Sequence, residues 1–428
     1  MTARRRPAVL DVAVAVSALL ALAWFAGGQA ALGRIDPALV LPWLALVLVP
    51  LALVQNRGTN HRVPAKAGTH HQAVANSTGW RWTSIGLTMP RMVKDRPGDD
   101  PTRCSFAGER GFLVVVTLLL PVQAILALLL AGQMPWAQLA LVGAGAVLAA
   151  WLAARLARWR AGGAMQGIAA LLLIGAWFAG AHLLLAALYR APRAAGAPVT
   201  MLTGLPLRWS ADGGMAAMIA EGMGDDPALR RIEAAGPVRL VDSLIDHPPA
   251  PGGALLLAHP RALAPRELVA VDAFVRGGGR AVILADALSG WPARRPLGDP
   301  RNPPVTSLLT PLLDHWGVTL GAAPADEGRP LAADVGGARL RLFSAGRFER
   351  FPAACRAYAG RRVVHCRIGD GEAWLVGDAD LLFAPLWRAA PGWAAHLRRA
   401  DTMEWLTARL WPDAPRAILR PIWIRAAE

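Results

Sequence analysis

The residues best suited to chemistry in this 428-residue sequence lie in its second half. His259 follows the apolar run Ala254–Ala258, Asp286 follows Ala281–Ala285, and Asp378 and Asp380 stand two apart in Gly377-Asp-Ala-Asp. Polar groups at the ends of buried strands are where α/β folds receive ligands. These four residues are therefore candidates for lining a cleft or holding a cation. Carboxylates after strands also cap the turn or helix that follows, and that reading is preferred. Ser289, with His259 and Asp286, supplies the residue types of a hydrolase, but no Gly-x-Ser-x-Gly elbow surrounds it. No catalytic residue is assigned. Gly277–Gly279 is not followed by Lys and Ser or Thr, so it is no phosphate loop and the chain is not itself an ATPase. His61, His70 and His71 lack a cysteine or carboxylate at ligand spacing, so neither metal nor cofactor is expected.

Cysteine chemistry points to a hairpin. Ala354–Ala359 and Arg362–Ile368 flank Gly360-Arg361, and glycine at the first central position suits a two-residue type II′ turn. That register sets Cys355 opposite Cys366, and a cross-strand disulfide is expected, which an oxidising compartment permits. The third cysteine, Cys104, lies in another segment.

The first half must be organised differently. Five apolar stretches are long enough, or nearly so, to cross a bilayer: Val12–Ala30, Ala38–Val54, Gly111–Leu130, Trp136–Ala154 and Met165–Leu188. Of the 16 basic residues before residue 190, 15 lie at Arg4–Arg6, within Arg57–Arg110, or at Arg155, Arg158 and Arg160. This is the positive-inside pattern of a multi-pass inner-membrane protein rather than a nucleic-acid stripe. It puts the N-terminus and both basic loops inside and the loop holding Arg34 and Asp36 outside. Five spans then deliver the C-terminal half to the periplasm. Residues 56–110 contain both lysines and no hydrophobic period, and are expected to be a disordered cytoplasmic insert. His182 falls within the fifth stretch and is read as a neutral histidine against a neighbouring helix.

The expected organisation is thus transmembrane helices over 1–55 and 111–190, the insert over 56–110, and a soluble α/β domain over 197–428. In that domain Val199–Leu202, Val238–Val241, Ala254–Ala258 and Ala281–Ala285 are short apolar runs of the kind buried on both faces of a parallel sheet. Pro265–Arg276 is a helix, opened by proline and closed by Gly277–Gly279, with Leu268, Val271, Phe274 and Val275 on one face. Strand, helix and strand make a βαβ unit.

The segment Ala254–Asp286 resembles the auxiliary domain of uncharacterised ABC-type transport systems, a group that includes the gliding-motility ABC auxiliary proteins. Gly377-Asp378-Ala379-Asp380 looks like that family's late strand end, and Asp401–Leu406 like its closing helix with a Trp-Leu pair. The resemblance implies a mainly parallel sheet of flavodoxin or class I glutamine amidotransferase type. It also implies a membrane partnership with ABC permease and ATPase subunits. Enzymes of the amidotransferase fold carry a nucleophilic cysteine at a strand-to-helix elbow. The equivalent stretch here, Ala285-Asp-Ala-Leu-Ser-Gly290, has none. The expected function is a non-catalytic, membrane-anchored auxiliary or recognition protein. The alternatives are a hydrolase with a non-standard site, or a structural partner in an envelope assembly.

Overall fold

A computed structural model describes residues 8–60, 101–208, 224–292, 295–296, 298–299, 302–324 and 329–425. The chain divides into two compact units. One contains Met1–Gly27, Pro37–Leu126 and Met134–Ala181, and the other contains Gly28–Asp36, Ala127–Gln133 and His182–Glu428.

Among the described residues, four helical stretches are long and apolar enough to cross a membrane: Pro37–Asn56, Val114–Ala131, Trp136–Arg158 and Gly163–Leu188. The first apolar run falls short of the expected fifth. It forms α-helix Ala8–Ala21 and a π-helical turn Leu22–Ala26, and the apolar helix counts only from Val12 to Ala26. The helix stops at Gly27-Gly28, where Gly28 takes φ +77°, a conformation that favours glycine. Leu44–Asn60 packs along Trp136–Arg158. The latter buries Val142, Ala146, Ala149, Ala153 and Ala157, a stripe at helical spacing that lets helices approach closely. Asn56 donates its side-chain amide to the Ala157 carbonyl. The two ends of the presumed insert are helical, because Leu44–Asn60 runs on past residue 56 and helix Pro101–Ala131, which contains Cys104, starts ten residues early with proline in its first turn. Residues 61–100 lie outside the described residues, His61, His70 and His71 with them.

The second unit is built on a seven-stranded sheet. Its strands are β1 (Val199–Thr203), β2 (Val238–Leu240), β3 (Ala254–Ala258), β4 (Arg280–Leu284), β9 (Cys355–Tyr358), β10 (Val363–Ile368) and β11 (Gly371–Val376), in the order β2-β1-β3-β4-β11-β10-β9. The first five strands in that order run parallel, β10 runs antiparallel to β11, and the edge strand β9 runs antiparallel to β10. The sheet is therefore mixed. The remaining strands, β5 (Thr319–Leu320) with β8 (Phe348–Arg350) and β6 (Leu331–Val335) with β7 (Ala338–Leu342), form two small antiparallel pairs.

Period-two alternation assigns each strand's side chains to two cores. Leu256, Val282 and Leu284 join one apolar cluster, while Leu255, Leu257, Ala281 and Ile283 join the other. Both faces are covered, as the unbroken apolar runs required. Burying each leucine contributes about 1.5–3 kcal/mol. Helix Pro265–Arg276 matches its expected bounds and buries Val271 and Val275. Thr402–Leu410 closes the domain with Trp405 and Leu406 in the core.

The hairpin pairs Cys366 with Cys355, and the two are joined by a disulfide. Its turn differs from expectation. Gly360 and Arg361 both have positive φ, +60° and +68°, the pattern of a type I′ rather than a type II′ turn. The right-handed twist of the strands favours that form, although it holds a non-glycine residue in the left-handed region.

Candidate functional site

The parallel strands aim their C-terminal ends at one edge of the sheet, and the loops leaving that edge bring the three aspartates together. Asp286 leaves β4, while Asp378 and Asp380 leave β11, the strand beside it. An oxygen from each lies within 4.8 Å of the others, and all three residues are buried. Every one of the six carboxylate oxygens accepts a hydrogen bond. Asp286 accepts from the backbone N–H groups of Leu288 (3.1 Å) and Ala379 (3.2 Å). Asp378 accepts from those of Leu381 (3.2 Å) and Phe343 (2.6 Å). Asp380 accepts from Ser289 Oγ (3.2 Å) and the Gly290 N–H (2.5 Å). Three loops, following β4, β7 and β11, are thereby laced to one another. Gly290 is required here, since a Cβ on it would lie 2.4 Å from the Phe343 ring and 3.0 Å from Asp380 Oδ2.

Packing three carboxylates so closely away from water disfavours their ionisation. Burial, aided by the neighbouring Asp380, pushes Asp286 up to about 8. Burial pushes Asp380 up to about 6 against the opposing Gly290 and Ser289 bonds. Asp378, buried beside both, is raised well above the usual carboxylate range. The cluster can share protons at neutral pH or take up a cation. The complete set of N–H and O–H partners matches the capping role.

His259 sits at the end of β3 with φ +49° and is fully buried. Its Nε2 bonds the Pro304 carbonyl at 2.7 Å, its Nδ1 has no partner, and burial lowers its pKa. The neutral tautomer with the proton on Nε2 satisfies this geometry. The backbone there is tight as well, because a Cβ on Gly204 would lie 2.6 Å from the His259 carbonyl. Ser289 Oγ donates to Asp380 and receives the Trp291 N–H. Among the described residues no hydrogen bond links Ser289, His259 and Asp286 into a nucleophile and its base.

A second polar assembly was not anticipated. Arg34 and Asp36, both fully buried, pair at 2.6 Å, and Tyr189 Oη donates to the same Asp36 oxygen at 2.6 Å. Arg34 also donates to the His396 carbonyl. Arg398 bridges Asp401 at 2.9 Å and Glu404 at 3.3 Å, and Trp423 Nε1 donates to Asp401. His182 Nδ1 lies 2.8 Å from His396 Nε2, so it pairs with a residue of the α/β domain, where a neighbouring helix was expected. Burial, with His182, Arg34 and Arg398 nearby, lowers His396 to about 3. The assembly joins loop Gly28–Asp36, the end of the last apolar helix and the C-terminal segment. The one hint in the sequence was an opposite pair, Arg34 and Asp36, in a loop otherwise without charge.

No curated protein matches this chain. Solved structures with detectable likeness include an exo-β-1,4-mannosidase from Opitutaceae bacterium strain TAV5, 12% identical, covering 50% of this chain and 36% of that one with a TM-score of 0.29. A cold-adapted β-galactosidase from Rahnella sp. R3 is 15% identical, with 51% and 32% covered and a TM-score of 0.28. A β-galactosidase from Halorubrum lacusprofundi is 15% identical, with 58% and 34% covered and a TM-score of 0.29. This chain spans about a third of the length of those glycosidases, and TM-scores this low carry nothing over from them. The informative match is to a family. Residues 237–323, running from the start of β2 past β5 and including His259 and Asp286, match the model of the family described as ABC-type uncharacterized transport system, about a fifth of the chain.

Proposed function

We propose that this protein is a non-catalytic integral membrane auxiliary subunit of an ABC-type transport system, with its α/β domain in the periplasm. The observation that carries the placement is the composition of the second unit. Loop Gly28–Asp36, loop Ala127–Gln133 and the end of the last apolar helix all belong to it. The Ile35 N–H donates to Ile422, the Ile424 N–H to Gly33, the Arg425 N–H to Leu130 and the Leu419 N–H to Leu188. All three connections therefore share one side with the domain. The opposite ends of the four long helices carry Arg57, Arg110, Arg155 and Arg158, the charges that stay in the cytoplasm. This argument does not depend on whether the short first helix crosses. A disulfide in the domain agrees with an oxidising compartment.

The non-catalytic reading rests on the engaged state of the polar groups. Ser289 is bound to a carboxylate, His259 to a carbonyl, and the elbow after β4 has no cysteine. Without an activated nucleophile, acyl transfer on an amidotransferase-like scaffold has no starting point. The test is affinity purification of the tagged full-length protein from native membranes after mild cross-linking. An ATPase and a permease recovered in stoichiometric amounts support the proposal, and recovery without either refutes it. A periplasm-active reporter fused at Glu428 checks the side; activity only from a cytoplasm-active reporter would overturn the placement.

A further inference from the structure

A cavity of about 280 Å³ opens in the second unit beside helix Thr402–Leu410 and the C-terminal segment. Five arginines line it, Arg231, Arg398, Arg409, Arg416 and Arg420, against the carboxylates of Asp401 and Glu404. Both carboxylates are engaged. Arg231 lies 3.0 Å from Glu404, and Arg398 lies 2.9 Å from Asp401.

Arg409 makes no close salt bridge among the described residues, and Glu372 acts on its charge only at longer range. Its guanidinium lies 4.3 Å from the ring centroid of Trp374 and 4.2 Å from that of Trp405. One Nη donates to the Trp405 carbonyl at 3.0 Å, and Nε has no acceptor. Burial lowers its pKa only to about 10, so it remains a cation at neutral pH. The indole Nε1 of Trp405, a residue 1% exposed that also lines the cavity, has no acceptor either.

The position of the cavity narrows what it can receive. Ala191 and Pro192 line it, just after Leu188 ends the last apolar helix. The Leu419 N–H donates to the Leu188 carbonyl at 3.0 Å, which fastens the wall around Ala417 and Arg420 to that helix end. Ile418, between them, is 75% exposed. An apolar side chain turned outward beside arginines at the end of a membrane helix suits the headgroup layer.

We propose that this cavity binds a phosphate monoanion carried by a membrane lipid headgroup, with Arg409 and Arg416 as its cationic contacts. Guanidinium matches phosphate oxygens in a two-point contact, and Arg409 and Arg416 line the cavity without a salt bridge to a carboxylate among the described residues. The inference rests on reading Gly163–Leu188 as membrane-spanning and requires no ABC partner. A soluble phosphate compound offers the same chemistry.

The test uses full-length protein in detergent. It is titrated with dioctanoyl phosphatidylglycerol, with inorganic phosphate and with dioctanoylglycerol, and bound ligand is counted by native mass spectrometry. The expected result is retention of phosphatidylglycerol over dioctanoylglycerol, weakened at least tenfold by Arg409→Gln and by Arg416→Gln. Arg416 is exposed, so its variant keeps the fold, and Arg350→Gln on β8 is the control that leaves binding unchanged. Inorganic phosphate binding as tightly, with the same sensitivity, supports the phosphate site and assigns it to a soluble compound. Equal affinity in native protein and both cavity variants overturns the proposal, as does dioctanoylglycerol binding as well as phosphatidylglycerol. Either result leaves the transport reading untouched, because the titration involves no partner.

Discussion

Replacing Asp36 by alanine should destabilise the α/β domain severely, although Asp36 lies more than 160 residues before the sheet begins. Asp36 has no exposed surface and takes two short bonds, from Arg34 and Tyr189, each 2.6 Å. Alanine leaves Arg34, itself 0% exposed, with the His396 carbonyl as its hydrogen-bond acceptor and its Nε unbonded. Removing one partner of a buried ion pair costs about 3–5 kcal/mol, since the other charge stays buried without compensation. For a domain of this size each kcal/mol moves the midpoint by about 2–4 °C. The unfolding transition, followed by intrinsic tryptophan fluorescence in detergent, should therefore fall by roughly 6–20 °C. Arg34→Met combined with Asp36→Leu removes both charges and should recover at least half of that loss, because paired buried charges give little net stability over apolar replacements. A shift below about 2 °C in Asp36→Ala, equivalent to less than ~1 kcal/mol, would refute the reasoning. So would a double variant as unstable as the single one.

Three other outcomes are expected. The domain should lose stability as pH rises from about 4 to 8: raised carboxylate pKa values mean that the folded state binds more protons than the unfolded state, so stability is present at low pH and declines through the folded pKa values. For Asp380, raised from 3.8 to about 6, the full decline amounts to about 3 kcal/mol, most of it between pH 4 and 8, and Asp380→Asn should flatten that part of the profile in midpoints measured at pH 4 and 8. Gly290→Ala should cost about 1–3 kcal/mol by driving a methyl group into the Phe343 ring, measured by urea unfolding. Cys355→Ser with Cys366→Ser opens a loop of 11 residues in sequence separation and should cost about 2–3 kcal/mol, with native protein in reductant matching the variant.

Local pattern carried the regular elements. The runs at Val199, Val238, Ala254 and Ala281 became β1 to β4 because apolar residues without alternation need cover on both faces. The proline and glycines bracketing Pro265–Arg276 set that helix's ends. The hairpin register followed from counting outward from a two-residue turn, although the type of turn depended on strand twist. Individual members of the aspartate cluster were legible as strand-end residues, but their convergence depended on β11 inserting beside β4 across some 90 residues of chain. The Arg34 assembly was hidden for the same reason, its contact with His396 spanning 362 positions. Polar pairs at such separations have no periodicity to betray them. The first apolar run misled because length was judged by composition, while Gly27-Gly28 ended the helix early.

The outermost strands of the sheet have a consequence for how anything can attach to it. β2 has three residues and β9 has four. A peptide that joins a sheet as an extra strand needs a long run of free N–H and C=O groups along the rim. Such a run also invites one copy of a domain to zip onto another. Here one rim is too brief, and the other is short and stapled to its neighbour by Cys355–Cys366, so it cannot peel away to accept a replacement. Among the described residues, neither rim of the sheet offers a long free edge. Under the auxiliary-subunit proposal, any partner of this domain would have to be met by its side chains and loops rather than by strand addition.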